Sequence, residues 1–75
     1  MVHIIDTTLY PNIKTVKRVL ASGGVINITD QSLFNEKTYT TKDMNIGEKI
    51  VVTNHPKRSY FITIEKRVDG VFRVY

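Results

Sequence analysis

The feature that most constrains the fold of this chain is its content of β-branched residues. Nine Ile, nine Val and nine Thr make up 27 of its 75 residues, whereas Leu occurs three times and Ala once. Two heavy atoms on Cβ restrict χ1 and suit the pleated surface of a sheet better than the turn of a helix. We therefore expect mostly strands with a single helix, in one small α+β domain that spans residues 1–75.

Length and cysteine content exclude several protein classes. A chain of 75 residues allows one domain, close to the smallest that a single hydrophobic core stabilises. Without Cys there is neither a disulfide scaffold nor a thiolate site. No apolar run approaches the ~18 residues of a membrane span, and the N-terminus lacks the pattern of a signal segment. We expect a cytoplasmic protein with no membrane contact.

Residues 11–22 form the one window with helical periodicity. Its apolar residues share one face, and its basic residues fall on the opposite side. Pro11 suits a first helical position, where its missing N–H costs nothing. Gly23 and Gly24 predict the end of the helix, because glycine accepts the left-handed conformation that commonly terminates one. The apolar face consists of Ile13, Val16, Val19 and Leu20.

The rest of the first 47 residues predicts short strands. Residues 2–5 form a first strand that ends in a turn at residues 6–8, and residues 25–29 form a second. Residues 30–35 fit either a turn or one helical turn. The Thr-rich segment 37–42 predicts an exposed strand around Tyr39.

The last 28 residues predict an antiparallel three-strand meander, residues 48–75. Its strands are residues 48–54, 59–68 and 71–75, with a polar loop at 54–58. Asp69-Gly70 predicts a tight hairpin turn, because both residues tolerate the positive φ of a primed turn. In the middle strand, alternation places Tyr60, Ile62 and Ile64 on one face and Phe61, Thr63, Glu65 and Arg67 on the other.

These elements predict one helix packed on a mostly antiparallel sheet of four to six strands. The apolar positions of each element should meet between the helix and the sheet. The expected core is Ile4, Ile13, Val16, Leu20, Ile26, Ile28, Ile50, Val52, Tyr60, Ile62, Ile64 and either Phe72 or Val74.

No constellation of catalytic or metal-binding residues is recognisable in the sequence. His3 and His55 lie far apart without metal-ligand spacing, so we expect no metal, and we interpret His3 as structural and His55 as solvated. Gly23-Gly24 follows a helix, which is the reverse of the order in a phosphate-binding loop. We therefore predict a protein that is not an enzyme and has no cofactor.

Positive charge is concentrated in the second half of the chain. Residues 36–75 carry eight basic and five acidic residues, which gives three of the four net positive charges. Basic residues beside an aromatic ring on a polar strand face are typical of surfaces that bind single-stranded nucleic acid. The leading hypothesis is a small basic binding module whose C-terminal hairpin contacts nucleic acid or a nucleic-acid-handling complex. The predicted contacts are Lys57, Arg58, Phe61, Lys66, Arg67 and Arg73.

The alternative hypothesis is a protein-binding modulator or inhibitor. A domain of this size gains stability by burying an edge strand or an apolar face against a partner. Ile, Asn, Lys and Tyr are encoded by AT-rich codons, which are common in many bacteriophage genomes. If the chain is phage-encoded, the partner would be a host protein. An identical chain is another expected partner, paired through residues 71–75 or 37–42 in a homodimer.

Overall fold

The computed structural model describes residues 2–7, 12–31 and 37–75. It is an α+β structure, as predicted. Pro11 and most of the ambiguous segment 30–35 lie outside the described residues. The elements are β1 (Val2–Thr7), α1 (Ile13–Ala21), β2 (Asn27–Asp30), β3 (Lys37–Thr40), a 3-10 turn (Thr41–Asp43), β4 (Lys49–Asn54), β5 (Phe61–Lys66) and β6 (Phe72–Val74).

The strands form two sheets rather than one. The larger sheet has the order β1-β4-β5-β6. Strands β4, β5 and β6 pair antiparallel, which confirms the C-terminal meander. Strand β1 pairs with β4 in parallel, with His3 opposite Ile50 and Ile5 opposite Val52. Strands β2 and β3 form a separate antiparallel pair, so the predicted sheet is in fact a mixed four-stranded sheet and a two-stranded one.

The core lies between one face of the four-stranded sheet and the elements packed on it. Helix α1 makes its main contacts with β6, and β2 lies against β1. Alternate residues of every sheet strand point to this face, which we call the core face. The buried apolar residues are Ile5, Val16, Ile28, Met44, Ile50, Val52, Ile62, Ile64 and Val74, with Ile13, Leu20, Ile26, Tyr39 and Phe72 packed against them.

No described helix or strand covers the opposite face of the four-stranded sheet, which we call the outer face. At one end of it, Arg58 and Tyr60 of the segment between β4 and β5 contact Asp6 and Thr53, which are buried. The outer face carries Ile4, which is 54% exposed, so the prediction that Ile4 lies in the core is wrong. Parallel pairing with β4 turns Ile5 rather than Ile4 inward. Tyr60 is also exposed, because β5 begins one residue after it.

Strand β1 is longer than predicted and contains two residues that were expected in a turn. Asp6 and Thr7 pair with Thr53 and Asn54 of β4, and both are buried. Asp is depleted in strands, whereas Thr favours them. The ladder to β4 holds both residues in the sheet, and an ion pair with Arg58 stabilises Asp6 there.

Helix α1 begins two residues later than predicted, and it ends just before the glycine pair that predicted its termination. Its N-cap is Asn12, whose side chain accepts a hydrogen bond from the Lys14 N–H at 2.8 Å. At the other end Gly23 has φ +83°, and the amides of Gly23 and Gly24 donate to the carbonyls of Leu20 and Val19. This is the Schellman termination of a helix, which confirms the structural interpretation of the glycine pair.

The β5–β6 hairpin closes with a three-residue loop instead of the predicted two-residue primed turn. The Gly70 amide donates to the Arg67 carbonyl, and the Arg67 amide donates to the Val71 carbonyl. Gly70 has φ +82°, but Asp69 does not have positive φ. Asp69 instead accepts a hydrogen bond from the Val71 amide, which is an Asx-type contact.

Candidate binding surface on the outer face

Two aromatic rings are exposed on the outer face. Phe61 opens β5 and is 59% exposed, and Tyr75 follows β6 and is 46% exposed. Tyr75 pairs with Thr63 through two backbone hydrogen bonds. Phe61 lies two residues before Thr63 on the same face, so the two aromatic residues are diagonal neighbours on adjacent strands. Alternation therefore predicted the face of Phe61 correctly, and the ring of Phe61 is available to a ligand.

Arg73 lies on the outer face between the ring of Tyr75 and a pair of charged residues, Glu65 and Lys49. Its guanidinium carbon is 4.5 Å from the centroid of the Tyr75 ring, a cation–π contact. Arg73 is opposite Glu65, whose carboxylate is 3.8 Å from the ammonium group of Lys49. The guanidinium of Arg73 is thus held against the ring of Tyr75 on the outer face.

Two further predicted residues flank β5 in the sequence. Lys57 is exposed in the loop between β4 and β5, four residues before Phe61. Arg67 is exposed immediately after β5, next to the hairpin loop. At ~3.3 Å per residue, Phe61 and Arg67 are about 20 Å apart along the sheet. Phe61, Arg73 and Arg67 therefore lie along one elongated surface, on which Arg67 and Arg73 border the same depression.

Arg58 is engaged by a carboxylate. It has φ +52°, the left-handed region, and its Nε and Nη2 donate to the Oδ1 and Oδ2 of Asp6 at 2.7 and 2.6 Å. The hydrogen bonds to Asp6, followed by the attraction of its charge, raise the pKa of the Arg58 guanidinium above its ordinary value. Since Asp6 is 1% exposed, this pair neutralises a buried carboxylate rather than offering a free cation.

Lys66 lies on the core face, away from Phe61. Its ammonium group donates to the carbonyl oxygen of Met44 at 3.0 Å and lies 5.7 Å from the centroid of the Phe72 ring. Strand alternation separates Lys66 from its neighbour Arg67, although the two are adjacent in sequence. The six predicted contacts therefore do not form one surface, because Lys66 lies on the core face and the exposed Arg58 is paired with the buried Asp6.

The outer face also carries residues that were not among the predicted contacts, among them Tyr75, Ile4 and Val51. Tyr75 could have been found by extending the alternation of β6 beyond Arg73 through the hairpin register. Ile4 could not, because nothing in the segment around Ile4-Ile5 indicates which of the two points inward. Val51 lies opposite Ile4 and adds a half-buried apolar side chain to the same face.

Away from the outer face, a groove lies between the β2–β3 pair and the start of β4. This groove has a volume of about 720 Å³ and is bordered by His3, Tyr39 and Glu48. The His3 Nε2 is 3.5 Å from a Glu48 carboxylate oxygen, and its ring centroid is 5.6 Å from that of Tyr39. These contacts agree with a structural His3, whereas His55 is exposed.

Within residues 2–7, 12–31 and 37–75, no group of three or more His, Asp or Glu side chains is arranged to hold a metal ion. The same ranges contain no helix that is long and apolar enough to cross a membrane.

Comparison with known proteins does not assign the chain to a family. No family model matches it, and neither a curated protein nor a solved structure matches it significantly.

Proposed function

We propose that this protein is a small, non-enzymatic binding module that holds single-stranded nucleic acid against the outer face of its four-stranded sheet. The observation that carries the proposal is the pair of exposed rings, Phe61 and Tyr75, on adjacent strands with Arg73 packed at 4.5 Å from Tyr75. Every nucleobase has a flat π surface, so rings in this setting bind bases with little dependence on sequence.

The phosphates of the bound strand would be neutralised by basic residues at either end of the rings. Lys57 is exposed in the loop that precedes Phe61, and Arg73 and Arg67 lie toward the hairpin loop. A net charge of +4 attracts a polyanion from a distance. Arg58 and Lys66 take no part in the proposed contact, because Asp6 and the Met44 carbonyl hold their cationic groups.

The test is the fluorescence anisotropy of a short labelled oligothymidine titrated with the protein at low salt. We expect Phe61→Leu to weaken binding by about tenfold or more, since a base stacked on an aromatic ring contributes ~1–3 kcal/mol. Phe61→Tyr is the matched control, because it keeps the ring and should bind as the wild type does. Absence of binding at low salt, or equal affinities for the two variants, would refute the proposal.

A protein partner is the second candidate, and the apolar side chains of Ile4 and Val51 on the outer face favour it. Contact with an apolar surface of a host protein, as a modulator or inhibitor would make it, is little affected by salt. We expect such a contact to tolerate Phe61→Leu, which keeps the side chain apolar, and to be lost in Ile4→Lys. A stoichiometric complex captured after nuclease treatment and stable in high salt would favour this candidate over nucleic acid.

A further inference from the structure

The edge strand β6 has backbone groups that no described residue pairs. Residues Arg67 and Val71, and Thr63 and Tyr75, are hydrogen-bonded pairs between β5 and β6. In an antiparallel ladder such pairs alternate with pairs that make no hydrogen bonds. The N–H and C=O groups of Phe72 and Val74 therefore point away from β5, toward the open side of the sheet.

An apolar groove runs along this edge. It lies between the C-terminal half of α1 and β6 and has a volume of about 570 Å³. Leu20 and Ala21 of the helix form one wall, and Phe72 and Val74 form the other. The only charged side chain among the described residues that line it is Lys17. The groove thus combines an apolar floor, a cationic rim and an adjacent row of free backbone groups.

We propose that β6 is a docking site for an extended acidic peptide of a partner protein, which adds antiparallel to the sheet as a fifth strand. Residues of the peptide opposite Phe72 and Val74 would exchange backbone hydrogen bonds with them and place apolar side chains in the groove. The residue between them, opposite Arg73, would face the outer side. A carboxylate there pairs with the guanidinium, and opposite charges across strands are stabilising.

A second copy of this chain fits the same edge poorly. Two β6 strands use all the free groups of Phe72 and Val74 only when paired about a two-fold axis at Arg73. That register places Arg73 directly opposite its symmetry mate, and like charges in this position are destabilising. Charge complementarity therefore favours a separate acidic partner.

The probe is the peptide Glu-Val-Glu-Val-Glu with acetyl and amide ends, titrated into the isotope-labelled protein and followed by amide NMR shifts. We expect saturable binding with the largest shifts at Phe72 and Val74. N-methylation of the two Val residues should weaken binding by about tenfold or more, because it removes the N–H groups that face β6. N-methylation of the central Glu is the matched control, since its N–H points away, and binding should persist.

Two variants extend the test. The peptide Lys-Val-Lys-Val-Lys should not bind, and Ala21→Trp, at an exposed position that borders the groove, should block binding of Glu-Val-Glu-Val-Glu. Equal binding of the Glu and Lys peptides, or of the two N-methylated peptides, would overturn the proposal, as would a dimer of the protein that the peptide dissociates. Ala21→Trp should leave oligothymidine binding unchanged because the groove lies on the core side of the sheet, so the two proposals fail separately.

Discussion

Arg58 shows that a basic residue in a polar loop is not necessarily a phosphate contact. Its sequence neighbours Pro56, Lys57 and Ser59 indicate an exposed loop, and the side chain does reach solvent. Yet its guanidinium accommodates both carboxylate oxygens of Asp6, a residue 52 positions earlier in the chain. A planar guanidinium matches a carboxylate in this bidentate way, which an ammonium group does not. Only the folded chain brings the two together.

Removal of this ion pair should destabilise the protein. Arg58→Ala leaves the buried Asp6 carboxylate without its bidentate partner, so we expect a clear fall in the thermal unfolding temperature. Lys57→Ala, next to it and exposed, should change the temperature little, and Arg58→Lys should restore only part of the loss. Circular dichroism melts of the three variants measure this. Equal melting temperatures for Arg58→Ala and Lys57→Ala would contradict the structural role.

The same pair has a defined dependence on alkaline pH. The pKa of Arg58 is raised in the folded protein by its hydrogen bonds to Asp6. Its contribution is therefore complete below the ordinary pKa of an arginine and is lost only as pH rises through the raised value. The difference in melting temperature between wild type and Arg58→Ala should stay constant from neutral to moderately alkaline pH. A difference that shrinks over this range would show that another group is involved.

Ile62 and Ile4 test the assignment of the two sheet faces. Ile62 is buried, and Ile62→Ala should lower the free energy of unfolding by ~2–5 kcal/mol, through lost burial and the cavity that remains. Ile4 is 54% exposed, so Ile4→Ala should change it by less than about 1 kcal/mol. Urea denaturation of both variants measures the difference. Similar losses would mean that the outer face is covered.

At the scale of single elements, the helix shows what sequence periodicity can and cannot determine. The 3.6-residue spacing of Ile13, Val16 and Leu20 and the glycine stop predicted the existence and end of α1. The predicted start of α1 was wrong because two neighbouring residues are acceptable at a helix N-terminus. Pro11 suits a first helical residue, and Asn12 suits a cap. The sequence alone does not decide between them.

The cap makes its own prediction. Asn12→Ala removes the acceptor of the 2.8 Å hydrogen bond from the Lys14 amide and should cost ~1 kcal/mol of unfolding free energy. Asn12→Ser keeps an acceptor oxygen at the cap and should retain most of it. Urea denaturation followed at a helical wavelength measures both variants. An equal loss in Ala and Ser would indicate that the side chain acts through another contact.

The strands were predicted unevenly, for a physical reason. β4, β5 and β6 are joined by short connections, so local alternation and turn residues were enough to give their order and pairing. β1 is paired with a strand about 47 residues away in the sequence, as in the match of Val2 with Lys49. No local signal specifies a parallel partner at that distance, and the faces of Ile4 and Ile5 follow from it. The candidate surface was incomplete for the same reason.

At the scale of the whole molecule, the basic residues that are close together in the C-terminal sequence lie in different parts of the fold. Five basic residues of the C-terminal part were expected to contact phosphate. One is neutralised by Asp6 and one lies on the core face, which leaves Lys57, Arg67 and Arg73, of which Arg73 contacts an exposed ring. The proposed interface is thus more aromatic and less cationic than the charge count alone suggests.

Salt dependence separates these two descriptions of the interface. Each phosphate neutralised on a single strand contributes about −0.7 to the slope of log K against log salt. Three contacts predict a slope of about −2 and five predict about −3.5. Arg73→Ala should make the slope shallower by about 0.7, whereas Lys66→Ala should leave it unchanged. Anisotropy titrations over a series of salt concentrations measure the slope. A slope near the steeper value would mean that Arg58 and Lys66 also contact phosphate.

The parallel pairing of β1 with β4 also has a consequence for biosynthesis. Translation yields β1 first, but its partner in the four-stranded sheet is complete only when Asn54 has been added. Until then the apolar segment around Ile4 and Ile5 has an unsatisfied strand edge outside the ribosome, a state that favours aggregation or chaperone binding. Once β4 emerges, β1 closes onto it from the far end of the chain. The parallel pairing of β1 is therefore a long-range step, which loop closure makes slow relative to the formation of the C-terminal meander.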